Sequence, residues 1–171
     1  MRYRATVLAV VFVTAVVLAD SREWKEYLYA DDLFAISTPF PPTVKERTAK
    51  TKFGMIVARY YNVSLGGDSG LMLTASEQHR DDHRTPPQVF TEAKQRSLAG
   101  IGATLVSEAP VSLEGNVGVQ VEFESPKYRG LIRYFVVSRR FYQLMSVAPI
   151  GKEIAPETDH FFASFRLINP R

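Results

Sequence analysis

Residues 117–149 read VGVQVEFESPKYRGLIRYFVVSRRFYQLMSVAP, and this stretch decides the fold. Val117, Val119, Val121 and Phe123 alternate with Gly118, Gln120, Glu122 and Glu124, a period of two with one apolar face. After Ser125-Pro126-Lys127 the pattern changes. Leu131, Phe135 and Val137 face one way while Ile132, Tyr134 and Val136 face the other. Arg139-Arg140 turns the chain, and Phe141–Pro149 returns as a third run. The stretch predicts three successive antiparallel strands at the centre of a sheet.

The chain on either side fits that centre. Trp24–Tyr29 and Leu33–Ser37 predict a hairpin across Ala30-Asp31-Asp32. Pro39, Pro41 and Pro42 stop it, because proline lacks the ladder donor. Thr43–Thr51 predicts an exposed edge strand guarded by Lys45, Glu46, Arg47 and Lys50. Met55–Leu65 and Leu71–Ala75 predict a second hairpin around residues 66–70. Thr85 and Pro86 open a helix whose apolar positions include Val89, Phe90, Ala93 and Ile101, with Gly100 and Gly102 at its end. Ala103–Leu113 is one more strand, and Pro156 starts a last helix carrying Phe161, Phe162 and Phe165 on one flank. Phe162 and Phe165 are expected to pack on Val119, Val121, Phe135 and Met145. Helices do not alternate with strands, which argues against a doubly wound parallel sheet. The expected fold is α+β: one domain over residues 20–171, an antiparallel sheet packed between helices as an α/β/α sandwich.

Residues 1–19 stand apart. Arg2 and Arg4 precede the apolar run Ala5–Leu18, and Val17-Leu18-Ala19 has the small residues of a cleavage site. The run is shorter than the roughly 20 residues of a spanning helix. A signal peptide cut before Asp20 is expected, with an uncleaved N-terminal anchor as the alternative. Localisation is therefore read as exported, periplasmic or extracellular. Without Arg2 and Arg4, 19 basic residues face 18 acidic ones. That near-neutral balance, with no basic stripe, argues against nucleic acid as a partner. There are no cysteines, which removes disulfides, thiolate metal sites and a cysteine nucleophile. The core alone must hold the domain, and about 150 residues bury some 70% of their extended surface.

The start at Tyr27–Ser37, the Pro41-Pro42 break, the mid-chain helix, the turn Leu113-Glu114-Gly115-Asn116-Val117-Gly118, and Ser146-Val147-Ala148-Pro149 before Phe161-Phe162-Ala163-Ser164-Phe165 together resemble the PsbP-like α/β/α sandwich superfamily over most of residues 24–168. Some members of that superfamily assist the oxygen-evolving side of photosystem II, one binds the GTPase Ran, and many bacterial envelope members have no assigned task. The resemblance implies a non-catalytic binding or accessory domain of the envelope. No cofactor is expected. The partner would be an unspecified protein or small ligand, the domain a monomer, and membrane contact limited to an uncleaved leader.

Three constellations invite chemistry. Gly67-Asp68-Ser69-Gly70 matches the nucleophile segment of trypsin-like proteases, but His79, His83 and His160 all follow Ser69, the wrong order for that family. Ser69, Asn116 and His160 resemble in order the blocks of SGNH-type esterases, as nucleophile, oxyanion donor and general base. That family has Asp three residues before the histidine, where this chain has Glu157. A hairpin turn at 66–70 explains the same glycines and is the preferred reading. His79 and His83, four apart, would share a face on a helix and offer two imidazoles to a metal such as zinc. Their segment is polar all round, which favours a solvated loop. Arg133, Arg139 and Arg140 mark a cationic rim near the strand ends.

Overall fold

The computed structural model describes residues 23–168; the leader expected over residues 1–19 lies outside them. Seven strands form the main sheet: β3 (Thr43–Thr51), β4 (Gly54–Gly66), β5 (Ser69–Glu77), β6 (Thr104–Leu113), β7 (Asn116–Glu124), β8 (Tyr128–Val137) and β9 (Arg140–Pro149). Their order is β3-β4-β5-β9-β8-β7-β6, and every pairing is antiparallel. The first hairpin leaves the sheet after β5, helix α1 (Pro86–Ile101) crosses over, and the β6–β9 meander brings β9 back beside β5. A smaller sheet, order β1-β2-β10, is built from β1 (Lys25–Tyr29), β2 (Phe34–Thr38) and β10 (Arg166–Leu167). Helix α2 (Glu157–Ser164) packs beside it.

The expected two-sided strand is β8. Leu131, Phe135 and Val137 join the core under the small sheet and α2, while Ile132, Tyr134 and Val136 join the core under α1. The main sheet is therefore a wall between two apolar layers. Helix α1 supplies one cover through Phe90, Ala93 and Leu98. The other cover is mixed: Phe34 and Ile36 of β2 lie beside Phe161 and Phe162 of α2 and the following Phe165. The sandwich thus has one purely helical face and one face made mainly by a sheet. Main-chain crowding inside the wall fixes two glycines. A Cβ on Gly130 would strike the carbonyl of Ser146 and the ring of Phe123, and one on Gly118 would strike Phe135.

Local chemistry sets the ends. Gln88 Oε1 accepts the Thr85 N–H at 2.9 Å, closing the start of α1, and Gly102 ends it with φ +60°. Three hairpins turn over two residues that both have positive φ: Gly67-Asp68, Glu114-Gly115 and Ser138-Arg139. These are the angles of the tight turn that matches strand twist. The last turn falls one residue earlier than Arg139-Arg140 and contains no glycine. Arg139 offsets that strain by donating to the carbonyls of Gln78 and Arg80, each at 3.1 Å.

Of the four residues expected under Phe162 and Phe165, Phe135 is met and the other three are not. Phe165 stacks near Phe135 at 6.4 Å between centroids and also meets Phe34 at 5.7 Å and Tyr142 at 5.3 Å. Val119, Val121 and Met145 lie on the opposite face with α1. Alternation across the pleat explains this, since Val119 pairs with Tyr134 rather than with Phe135. Ser146 and Thr158, both buried, fix α2 on the sheet through a hydroxyl pair at 2.6 Å. Phe165→Ala removes a side chain only 3% exposed and is expected to cost about 3–5 kcal/mol. Urea unfolding measures it, and Val106→Ala, an exposed apolar position, should by comparison shift stability by less than about 1 kcal/mol.

Candidate functional site

The residues singled out as an esterase set are spread over the molecule. Ser69 follows the Gly67-Asp68 turn and opens β5. Asn116 closes the β6–β7 turn, its amide donating to the carbonyls of Leu113 at 3.1 Å and Glu114 at 3.4 Å. Strand register puts Asn116 level with Val137, Arg140 and Glu77. Ser69 lies at the other end of β5, roughly 26 Å away along the strand at about 3.3 Å per residue. No small ester spans that gap. His160, on α2, is exposed, and its ring stacks on Trp24 at 3.9 Å and 7°. No hydrogen bond joins it to Ser69.

His79 and His83 sit in the loop between β5 and α1, not on a helix, so they do not share a helical face. His83 is exposed, while the His79 ring lies against Gly54, where an added Cβ would come within 2.7 Å of Nε2. His79 Nδ1 accepts the Asp81 N–H at 3.3 Å. Among the described residues no three His, Cys, Asp or Glu side chains are grouped to hold a metal. The cationic rim also divides. Arg133 lies over the Phe162 ring at 4.5 Å and donates to Gln120 at 2.7 Å, whereas Arg139 and Arg140 belong to the far end of β8 and β9.

That far end holds a polar centre which the sequence did not disclose. Asp32, 3% exposed, sits in the 3-10 turn between β1 and β2. One carboxylate oxygen accepts from Arg59 at 2.8 Å and from Arg140 at 3.5 Å; the other accepts the Tyr61 hydroxyl. Its main-chain carbonyl accepts the Tyr142 hydroxyl at 2.8 Å. Four donors from β4 and β9 thus grip one residue of the small sheet. The Asp32 charge holds the Arg59 guanidinium above its ordinary range. Burial, then the hydrogen bond to Asp32, pushes the Tyr61 hydroxyl well up, and burial pushes Tyr142 up to about 12. With both oxygens committed and both tyrosines kept protonated, the group acts as a clamp and offers no free base. A missed signal was present: Arg59 interrupts the apolar period of Val57, Tyr61 and Val63, and an inward arginine demands a buried carboxylate. The clamp opens to a cleft of about 550 Å³ lined also by Asp31, Met55, Glu77 and Arg80. Charges of both signs balance there, so it is no sink for either.

A second surface is charged one way. Helix α1 lies over β7 and β8 and, on its own side of the sheet, meets β3 and β4 at their Thr51 and Ile56 end, away from the Thr43 end of β3. Lys45, Arg47, Tyr60, Asn62, Ser64 and Met72 line an open trough there of about 480 Å³. Arg47 lies over the Tyr60 ring at 5.9 Å. Among the described residues neither Lys45 nor Arg47 pairs with a carboxylate, and the neighbouring Glu46 bonds Arg59 at 3.0 Å.

The architecture has a solved counterpart. It matches the solution structure of cyanobacterial PsbP (CyanoP) from Synechocystis sp. PCC 6803 with a TM-score of 0.56 and 12% identity, over 91% of this chain and 98% of that one. The chain has a PsbP-like fold. No protein-family model matches its sequence, and no curated protein does.

Removing the clamp tests its weight. Asp32→Ala leaves Arg59 and Arg140 without their buried partner. Because the Arg59 side chain stays 35% exposed, the expected loss is near the low end of the range for a broken buried pair, about 3 kcal/mol. Urea titration should show the midpoint falling.

Proposed function

We propose that this chain is an exported, non-catalytic binding or accessory domain of the cell envelope, acting as a monomer on a protein or small-ligand partner. The observation that carries the reading is the PsbP-like fold, matched over nearly the whole of both chains. Three further features support it. The N-terminal sequence has the charge, apolar run and small residues of a leader. No helix among the described residues is long and apolar enough to cross a membrane. The surface of the described domain offers an open trough and a charge-balanced cleft, shapes suited to contact with a partner. Arg59, Arg140 and Asp32 hold the cleft in place, and Lys45 and Arg47 offer the trough its charge.

Protein recovered from its native host and sequenced from the N-terminus should begin at Asp20 and fractionate with the envelope or medium. Crosslinked mature domain should return a stoichiometric partner. A start at Met1 in the cytoplasmic fraction would overturn export. Turnover of a chromogenic ester, lost in both Ser69→Ala and His160→Ala, would replace the binding reading with the esterase.

A further inference from the structure

The main sheet has two outer strands, and they are finished differently. β6 carries Pro110 in its middle and a register shift between Leu105 and Ser107. Proline withholds a ladder donor and a bulge twists the edge away, so β6 is closed to a further strand. β3 has neither device. Its nine residues pair with β4 without a break, from Thr43 opposite Asn62 to Thr51 opposite Gly54. Eight of the nine are exposed. The groups of β3 that point away from β4 meet no other strand among the described residues, because β3 ends the sheet order. What protects this edge is charge alone, and the charge is positive: Lys45, Arg47 and Lys50, with Glu46 taken by Arg59.

Side chains on β3 alternate. Thr43, Lys45 and Arg47 point to the open trough beside α1, and Val44, Glu46 and Thr48 to the other face. A strand added along β3 would place its own side chains opposite these. On the trough side, carboxylates would face the unpaired Lys45 and Arg47; on the other side, β-branched or apolar groups would meet Val44, which is 48% exposed, and Thr48. We propose that β3 takes up an extended, acidic polypeptide segment as an eighth strand, with alternate Asp or Glu side chains lying over Lys45 and Arg47. Main-chain pairing supplies the grip, and the alternation of charge sets the register. The inference rests on the reading of the chain as a binding domain and narrows its partner.

The test uses the protein with its leader removed and a labelled ten-residue peptide of alternating Glu and Thr, followed by fluorescence anisotropy and amide hydrogen exchange. Saturable binding is expected, weakening as salt rises. Alternate β3 amides, those pointing away from β4, should gain protection. The double variant Lys45→Glu/Arg47→Glu, with an unchanged unfolding midpoint, should bind roughly tenfold more weakly or worse. It should in turn accept a second ten-residue peptide, of alternating Lys and Thr, which the parent refuses. No saturable binding, equal binding of both peptides by the parent, or binding without protection in β3 would each overturn the proposal. So would displacement of the peptide by phosphatidylglycerol vesicles that bind more tightly, which would assign the trough to a lipid surface. Failure here leaves export and partner capture standing, and failure of those leaves this measurement unchanged.

Discussion

The carboxylate of Asp32 is the constraint on which the rest of the structure depends. The small sheet is three strands, one of them two residues long, and such a unit is not stable alone in water. It becomes part of the domain by laying Phe34 and Ile36 on the main sheet and by sinking Asp32 between Arg59, Arg140, Tyr61 and Tyr142. Apolar contact is non-directional and would tolerate sliding of one sheet over the other. The clamp does not. Its donors come from two strands that β5 holds apart in the sheet order, so Asp32 fits at one register only. Without the carboxylate Arg140 would lose its ion-pair partner and Arg59 would keep only Glu46; without the arginines the carboxylate would pay a desolvation cost of several kcal/mol.

The same joint explains how the chain ends. Leu33 is in the left-handed region with φ +56°, and its carbonyl accepts the Ile168 N–H at 2.9 Å, so the turn holding Asp32 also receives the last described residue. β10 pairs with β2 through Arg166 opposite Ala35, and Arg166 reaches across to Glu26 with two bonds of 2.9 Å. The two ends of the described chain are thereby tied together over the aromatic core.

Much of this was legible in the sequence because period-two patterns report faces directly. β8 reads as apolar on both sides, and a strand with two apolar sides can only be the middle of a three-layer stack. The Thr85, Pro86 and Gly102 punctuation of α1 is local chemistry and needs no tertiary information. The residues that were harder to read owe their state to partners far along the chain. Asp32 looks like a turn former and is one, but its burial depends on Arg59 and Arg140, 27 and 108 residues away. Val119 and Met145 are apolar and correctly placed in the core, yet which of two cores they enter depends on register, which no single strand encodes. β10 is too short to have a period. Ser69, Asn116 and His160 follow a family order in sequence, and only the strand register shows Ser69 and Asn116 at opposite ends of the sheet.

If the clamp makes the two sheets one cooperative unit, native-state hydrogen exchange across increasing urea shows it most directly. The account predicts that the protected amides of β2 open with the same free energy and the same urea dependence as those of β5 and β9. Exchange of β2 through a separate opening, weakly dependent on urea and at much lower free energy while β5 and β9 stay protected, would contradict it.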